Sequence, residues 1–271
     1  MAFEPISLLQ DTQTQNGRVT ILTGAGISAE SGIPTFRGPE GYWTVGSEVY
    51  HPQEMATVQM FRQRPFAVWE WYLYRLGVCS KASPNAGHLA LVSLEQQLKN
   101  RFTLITQNVD GLHLRAGSSP ERTFQIHGNV SFMRCARECR SAIYPVPETL
   151  HRQIKTDKWT DDIANLLKCP NCGGMTRPHV LWFDESYNEE FFRYTSSLIV
   201  AEKTDLLIIV GTSGATNLPN QIADTVFRRK KPIIDINIEK NSFSMLAEKS
   251  PGGGFMQGPS AVILPDLLTF Q

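Results

Sequence analysis

The sequence predicts an α/β fold: a Rossmann-like, mostly parallel sheet with helices on both faces, joined to a smaller inserted domain. Apolar runs typical of buried strands recur with helical patterns between most of them, and this alternation favours a parallel sheet. A glycine-containing or polar motif follows each run directly. Because ligands bind outside the carboxyl ends of parallel strands, we expect these motifs to form one site. The five runs are residues 19–22, 102–106, 123–126, 205–210 and 232–237.

Two stretches interrupt the alternation and predict the inserted domain. The first contains a helical segment at residues 66–80 without an evident strand, and the second is polar and carries two close pairs of cysteines. We expect both to lie beside the sheet as one small domain. The expected main domain comprises residues 1–46, 85–132 and 178–271, and the expected small domain comprises a helical insertion at 47–84 and a second insertion at 133–177.

Composition is that of an ordinary soluble globular protein. The 271 residues are 41% hydrophobic, and 26 lysines and arginines balance 26 aspartates and glutamates. A chain without net charge is not expected to bind nucleic acid through bulk electrostatics. No apolar run approaches the roughly 20 residues of a membrane span, and the first five residues lack the features of a signal peptide. We therefore expect a cytoplasmic protein with no membrane partner and no direct nucleic-acid partner.

Five cysteines, an odd number, favour a metal site over a disulfide framework. Cys135 and Cys139 form one close pair, Cys169 and Cys172 form another, and Cys79 stands alone. Four thiolates suit a tetrahedral zinc ion, which predicts that the second insertion binds zinc in a structural rather than catalytic role. The C-x3-C spacing of the first pair is one residue longer than usual and favours Cys139 less than the other three. The alternative is a set of reduced cysteines without metal.

The stretch from residue 24 to residue 37, GAGISAESGIPTFR, is the most informative part of the chain. Its first six residues fit G-x-G-x-x-G/A, the dinucleotide-binding fingerprint, with Ala29 in the last position. Glycines there let the backbone approach a pyrophosphate, and the start of a helix offers free N–H groups. Unlike in a hydride-transferring dehydrogenase, the helix is interrupted at residues 31–34, and no persuasive acidic residue stands about 20 positions beyond the fingerprint. A glycine turn alone could also serve packing only.

Read with the motifs that follow, this stretch resembles the NAD-binding signature of the sirtuins, and the likeness extends from about residue 19 to residue 265. The resemblance implies an NAD-dependent protein lysine deacylase, with NAD as co-substrate, a structural zinc ion, and acyl-lysine proteins or peptides as partners. The motifs occur in the sirtuin order: residues 24–37, 107–113 (QNVDGLH), 127–128 (HG), 177–183 (RPHVLWF), 211–213 (GTS) and 237–239 (NIE).

His127 is the predicted general base, because an imidazole can take a proton from a sugar hydroxyl near neutral pH and later return it. The resemblance implies that the acyl oxygen of the substrate attacks the anomeric carbon of NAD as nicotinamide leaves. His127 then activates a ribose hydroxyl, and the products are nicotinamide, free lysine and O-acyl-ADP-ribose. Asn108 is the second predicted catalytic residue. A lone histidine at a strand end is more often structural, and only the ordered motifs favour the base.

The remaining motifs offer groups that suit NAD. Amide and carboxylate side chains at a strand end can hold ribose hydroxyls and the nicotinamide carboxamide. The resemblance makes Ile33 and Phe36 apolar walls, directs Arg37 at the phosphates, and places Glu239 on the adenosine ribose. Helix caps and plain turns are the alternative for the polar members. The predicted NAD-binding residues are Gly24, Ala25, Gly26, Ile33, Phe36, Arg37, Gln107, Asn108, Asp110, Gly211, Thr212, Ser213, Asn237, Glu239 and Ser260.

Tyr72 and Arg75 suggest which acyl group is removed. They are three residues apart on the predicted helix and therefore share a face, where a guanidinium fork beside a phenol suits a carboxylate. The pair resembles the pattern of class III sirtuins, which remove succinyl and malonyl groups, and dual activity with acetyl groups is the expectation. An ordinary amphipathic helix is the alternative. The predicted substrate-binding residues are Tyr72, Arg75, Val180, Trp182 and Phe183.

Three departures from the sirtuin pattern leave other functions open. Asp184 replaces the usual glycine of the substrate loop, residues 214–219 (GATNLP) lack the usual Val-x-Pro-Ala segment, and residues 258–260 (GPS) replace Gly-x-Ala. The second change affects the expected acyl-lysine channel more than NAD binding. The alternatives are an NAD-consuming ADP-ribosyltransferase or NAD hydrolase, and a module that binds NAD without chemistry.

Overall fold

Six strands form a parallel sheet at the centre of the computed structural model, which describes residues 3–34, 43–45, 48–152, 154 and 158–268. The mostly parallel sheet and five of its strands were predicted, whereas β11 was missed because a glycine-rich turn precedes it and its residues are only partly apolar. From edge to edge the order is β11-β10-β9-β1-β4-β5. The strands are β1 (Val19–Thr23), β4 (Phe102–Thr106), β5 (Thr123–Gln125), β9 (Leu206–Val210), β10 (Ile233–Asn237) and β11 (Gly254–Gln257).

Two smaller antiparallel sheets lie outside this parallel sheet, and the sequence patterns did not predict them. One is the hairpin of β2 (Trp43–Val45) and β3 (Glu48–Tyr50). The other has the order β7-β6-β8, with β6 at Gly128–Cys135, β7 at Ile143–Pro145 and β8 at Thr176–Val180.

Thirteen α-helices are present in the described ranges. The predicted helix at 66–80 is observed as α5 (Pro65–Lys81), and Pro65 occupies its first turn, where no N–H donor is needed. The other helices are α1 (Pro5–Thr14), α2 (Gly26–Ala29), α3 (Pro52–Met55), α4 (Val58–Gln63), α6 (Ala86–Leu98), α7 (Leu112–Ala116), α8 (Asp161–Leu166), α9 (Glu189–Phe192), α10 (Tyr194–Ala201), α11 (Asn217–Arg228), α12 (Ser242–Lys249) and α13 (Ser260–Leu268).

The apolar side chains of the central strands divide between two layers of helices, as expected for a doubly covered sheet. Leu206, Ile208 and Val210 of β9 pack in a cluster with residues of α1, α6 and α13. Leu207 and Ile209 point to the opposite face, in a cluster with residues of α11 and α12. Because both faces are buried, the strands are continuous apolar runs rather than alternating ones. A third cluster joins α5 to the sheet of β6, β7 and β8.

A close backbone contact fixes the point where the chain passes from β5 of the main sheet into β6 of the smaller sheet. Gly128 pairs with Val180 of β8 and has φ +83, a left-handed conformation that favours glycine. A Cβ atom at this position would lie 2.1 Å from the carbonyl oxygen of His179. Only glycine fits, and the preceding residue, His127, is therefore held where the two sheets meet.

No helix in the described part of the chain is both long and apolar enough to cross a membrane.

Two buried histidines make the stability of this fold dependent on pH. The rings of His88 and His113 lie 4.8 Å apart, and burial lowers the pKa of His88 to about 4 and that of His113 well below its usual value. The unfolded chain binds these protons near pH 6.5, and the folded chain does not. The stabilisation is therefore complete above about pH 6.5 and is lost as the pH falls toward 4.

We predict that His88→Gln reduces the loss of unfolding free energy between pH 7 and pH 5 by about 2 kcal/mol. Urea unfolding of both chains at the two pH values measures this difference. The variant also loses the hydrogen bond from the Asn85 backbone N–H to His88 Nδ1, so only the change with pH is compared. An equal loss in both chains would contradict the prediction.

Candidate active site

Two glycine loops meet at the carboxyl edge of the main sheet. The Gly24 N–H donates to the Val210 carbonyl oxygen at 2.9 Å, and the Gly26 N–H donates to that of Gly211 at 2.8 Å. A Cβ at Gly26 would lie 2.6 Å from the Gly211 Cα, and Gly211 itself has φ +60. Close approach of the two loops therefore requires these glycines, and both N–H groups are used inside the protein. Between the two glycines, Ala25 is half-buried.

Predicted residues from three strand ends are hydrogen-bonded around Thr212. The Gln107 side-chain amide, after β4, donates to the Thr212 hydroxyl at 2.9 Å and to the Thr23 carbonyl oxygen at 3.3 Å. The Asn237 amide, at the end of β10, donates to the Thr212 carbonyl oxygen at 2.9 Å. These contacts bring three of the predicted motifs to one place. Ser213, the next residue, is half-buried beside them.

The buried residues Asn108 and Asp110 are joined by Ser28 of α2. The Ser28 hydroxyl donates to an Asp110 carboxylate oxygen at 2.7 Å, and the Asn108 amide donates to the Ser28 oxygen at 3.0 Å. Burial raises the pKa of Asp110, against the effect of hydrogen bonds from Leu112 and Ser28. Ser28 was not predicted as a site residue, although it lies within the glycine-containing stretch. Ile33 is close by, since its N–H donates to the Ser28 carbonyl oxygen at 3.3 Å.

His127 lies at the same edge with both ring nitrogens engaged. Its Nδ1 is 3.0 Å from the carbonyl oxygen of Gln107, and its Nε2 is 2.7 Å from the hydroxyl of Tyr187. A carbonyl oxygen only accepts, so Nδ1 carries the proton and Nε2 is the acceptor. Burial lowers the pKa of His127 to about 4, which keeps the ring neutral at pH 7.

Tyr187 and its neighbour Thr216 were not predicted as site residues. The Thr216 hydroxyl donates to the Gln107 side-chain oxygen at 2.8 Å, and burial raises the pKa of Tyr187 against the opposing effect of its contact with Thr216. Tyr187 is 60 residues from His127 in the chain, so no local pattern could have paired them. Thr216 lies in residues 214–219, where the sequence departs from the sirtuin pattern.

The structure does not place the other predicted NAD-binding residues in this hydrogen-bonded group. Glu239 lies exposed after β10. The Ser260 hydroxyl, at the start of α13, donates to the Glu30 carboxylate at 3.1 Å, and the same oxygen accepts from the Ala261 N–H at 2.8 Å. Phe36 and Arg37 lie outside the described residues.

The predicted acyl-binding residues lie on α5 and at the end of β8 and in the loop that follows it. The hydroxyl of Tyr72 accepts a hydrogen bond from the Trp182 indole N–H at 2.9 Å, and both residues are buried, as is Val180. Burial raises the pKa of Tyr72, and the positive charge of the half-buried Arg75 opposes this effect. The charge of Arg75 also opposes the rise that burial causes in the pKa of Asp110. Phe183, in contrast, is 59% exposed.

Two neighbouring carboxylates hold the loop after β8. Asp184, which replaces the usual sirtuin glycine, accepts the backbone N–H groups of Val58 and Gln59 at 2.7 and 3.1 Å and so caps α4. Glu185 accepts two hydrogen bonds from the Arg177 guanidinium, at 2.6 and 2.7 Å. The Asp184 side chain is therefore directed at a helix start of the protein itself.

Four cysteines form a cluster that fits a zinc ion. Their sulfur atoms lie within 4.8 Å of one another, and the Cys135–Cys172 and Cys139–Cys169 distances are both 3.6 Å. A tetrahedron with Zn–S bonds of about 2.3 Å places its sulfurs about 3.8 Å apart. The long first spacing is accommodated by Glu138, which has φ +50 and donates its N–H to the Cys135 carbonyl oxygen. All four predicted ligands thus come together, and the cluster can hold a structural zinc ion.

We predict one zinc ion per chain, retained in Cys79→Ala and lost in Cys139→Ala. Cys79 is buried in α5 away from the cluster, so it controls for the removal of a thiol. Native mass spectrometry measures the metal content, and thermal unfolding with and without a chelator measures its effect on stability. A folded wild-type chain that carries no metal would contradict the prediction.

The chain matches known proteins over most of its length. The Sir2 family model matches residues 24–217. An NAD-dependent protein deacylase of Leptospira interrogans is 39% identical over 254 residues, which cover 93% of this chain and 92% of the relative. A protein of the same description from Aquifex aeolicus is 37% identical over 238 residues, which cover 86% of this chain and 89% of the relative.

Solved structures show the same likeness. A Sir2 homolog in complex with NAD superposes with a TM-score of 0.76 at 30% identity, covering 98% of this chain and 93% of that chain. A mutant Sir2 homologue in complex with 2'-O-acetyl ADP ribose has a TM-score of 0.75 at 33% identity, covering 93% and 90% of the two chains. On the family match and these identities, the chain belongs to the Sir2 family.

Proposed function

We propose that this chain is an NAD-dependent protein lysine deacylase that removes acetyl and acidic acyl groups and yields nicotinamide, O-acyl-ADP-ribose and free lysine. The observation that carries the proposal is the neutral imidazole of His127, whose acceptor nitrogen lies at the edge where the glycine loops meet. Relatives at 39% and 37% identity are described as NAD-dependent protein deacylases, and a homologous structure holds 2'-O-acetyl ADP ribose.

The carboxyl edge of the main sheet is the proposed NAD site. When bound, NAD supplies an anomeric carbon from which nicotinamide departs. Gln107, Asn108 and Asp110 present amides and a carboxylate that suit ribose hydroxyls and a carboxamide. The two glycine loops present backbone without side chains, which suits close approach by phosphates. We assign this site to the domain of residues 1–46, 85–132 and 178–271, with residues 47–84 and 133–177 as the small domain.

His127 is the proposed general base. The Gln107 carbonyl oxygen holds the proton on Nδ1, so that the lone pair is on Nε2, where the Tyr187 hydroxyl contacts it. This nitrogen accepts the proton of a ribose hydroxyl and later returns it, while the Nδ1–H bond to Gln107 stabilises the charged ring. The same contact raises the pKa of His127 and opposes the effect of burial. Asn108 is the proposed second catalytic residue. Its side-chain amide donates to the Ser28 hydroxyl, and its backbone N–H donates to the Thr106 hydroxyl.

Tyr72 and Arg75 are the proposed groups that select an acidic acyl chain. The Tyr72 oxygen accepts from Trp182, so its own proton can be donated to a carboxylate. Arg75, one helical turn from Tyr72, supplies a positive charge for the carboxylate of the acyl group. Its guanidinium carbon lies 5.3 Å from the centre of the Trp71 ring. The buried side chains of Val180 and Trp182 provide apolar walls for the acyl-lysine stem.

We predict that His127→Ala retains its fold and its NAD affinity but loses acyl transfer, by about a hundredfold or more. Wild type, the variant and His151→Ala are incubated with NAD and acetyl-, succinyl- or malonyl-lysine peptides, and the products are weighed. His151→Ala is a matched control, because its ring bonds the Val146 carbonyl oxygen within the small domain. Full activity of His127→Ala would contradict its role, and free ADP-ribose without O-acyl-ADP-ribose would favour an NAD hydrolase.

We predict that Arg75→Met lowers kcat/KM for succinyl-lysine peptides by about 10- to 100-fold, because a charge-assisted hydrogen bond is lost. For acetyl-lysine peptides the expected loss is below about threefold, since no carboxylate is present. Lys81→Met removes a cation from the exposed end of the same helix and should preserve the ratio of the two activities. Equal losses on both substrates would show that Arg75 supports the helix and not the acyl group.

A further inference from the structure

The acceptor nitrogen of His127 is already occupied by the protein. Nδ1 carries a proton because it faces the Gln107 carbonyl oxygen, so the ring has one lone pair, on Nε2. The Tyr187 hydroxyl lies 2.7 Å from Nε2 and must be the donor in this hydrogen bond. A sugar hydroxyl that gives its proton to His127 needs the same lone pair. The phenol and the sugar hydroxyl therefore cannot both bond Nε2.

Tyr187 is held in this position by its surroundings. It belongs to the loop between β8 and α9, and its ring lies 5.7 Å from the His127 ring and 6.3 Å from the Tyr194 ring, measured between centres. Burial raises the pKa of Tyr187 to about 12, so the phenol keeps its proton at neutral pH. Thr216, from the loop after β9, contacts the same phenol and donates to the Gln107 side chain. Gln107, Tyr187 and Thr216, each from a different loop, thus form a closed ring of contacts with His127.

We propose that Tyr187 is a positioning residue whose hydroxyl donates to Nε2 of His127 until a ribose hydroxyl displaces the phenol. The inference rests on the proposed function, because it takes the ribose of NAD as the competing group. Loading the site moves the phenol away from Nε2, and the ribose hydroxyl forms its own hydrogen bond there. In the following step the ribose O–H bond breaks and the N–H bond forms on Nε2. Tyr187 keeps its own proton throughout.

The contact has two separate consequences. First, its hydrogen bond is lost whenever a ribose hydroxyl binds, so the phenol weakens the binding of NAD and ADP-ribose. Second, the phenol donates to the neutral form of His127, and this bond must break when the ring is protonated. Tyr187 therefore also lowers the proton affinity of the base in the free chain. A residue that only fills space would produce neither effect through its hydroxyl group.

Tyr187→Phe tests the proposal, because it removes the hydroxyl and keeps the ring. Calorimetry should show ADP-ribose binding about threefold to tenfold tighter than in the wild type, and kcat/KM for NAD should rise by a similar factor. NMR titration of the free chain should show the pKa of His127 shifted toward its usual value. Tyr194→Phe is the matched control: its hydroxyl bonds Gln221 and not His127, so neither quantity should change.

Two results would overturn the proposal. Unchanged ADP-ribose affinity together with an unchanged His127 pKa would make the contact incidental. Unchanged affinity with a tenfold or greater fall in acyl transfer would instead make the phenol a participant in the chemistry. Failure of the proposed function is distinguishable from both, because the wild-type chain would then form no O-acyl-ADP-ribose from an acylated peptide, while the His127 titration would still report the contact.

Discussion

The contact between Gly128 and the His179 carbonyl oxygen is the constraint on which the placement of the site depends. It holds the start of β6 against the end of β8, and β6 itself joins the two candidate centres. His127 directly precedes β6, and Cys135 ends it, paired with Thr176. Eight residues of strand separate the base from the metal cluster by about 25 Å. Because the register shifts between Gly128 and Met133, the two ends of β6 pair with β8 separately, and the glycine fixes the end that carries His127.

A carboxylate paired with two buried guanidinium groups, that of Glu185, holds the loop that follows β8. Glu185 accepts a bidentate pair of hydrogen bonds from Arg177 and a further bond from Arg134, and both guanidinium groups are nearly inaccessible. Its carboxylate also accepts the Trp182 N–H at 2.9 Å. Such pairs contribute little net stability, but removing one partner leaves uncompensated buried charge. Glu185 therefore fixes the backbone at Trp182, and through the indole it fixes the Tyr72 hydroxyl.

Features that depend on local patterns could be predicted from the sequence. The central strands among the five predicted are visible because strands buried on both faces are rich in apolar residues, and the carboxyl ends of all five meet for a topological reason. The cysteine pairs were informative by spacing alone, although only the left-handed conformation of Glu138 explains how the longer pair closes. The Tyr72 and Arg75 pair was identified by spacing on a helix, but its contact with Trp182 spans 110 residues.

Features that depend on long-range contacts could not be found in this way. The sheet of β6, β7 and β8 lies in a polar region where no period-two pattern stands out. The sequence shows only that Asp184 replaces the usual sirtuin glycine, and the tertiary structure is needed to show that it caps α4. The close packing of the two glycine loops, and the internal hydrogen bonds of Gly24 and Gly26, likewise depend on partners distant in the chain. The shared physical reason is that a short motif specifies a local conformation but not the partner it meets.

The surroundings of His127 indicate how a weak base can be suited to this chemistry. Burial alone makes the ring a poor proton acceptor, whereas the Gln107 carbonyl oxygen favours the charged form. The effect of burial dominates while the Tyr187 hydroxyl is bonded to Nε2, and the imidazole is then neutral with its proton on Nδ1. In the proposed reaction a ribose hydroxyl replaces the phenol, and the bond from Nδ1 to Gln107 remains and stabilises the imidazolium as it forms. The same backbone carbonyl thus fixes the tautomer before the reaction and supports the charge during it.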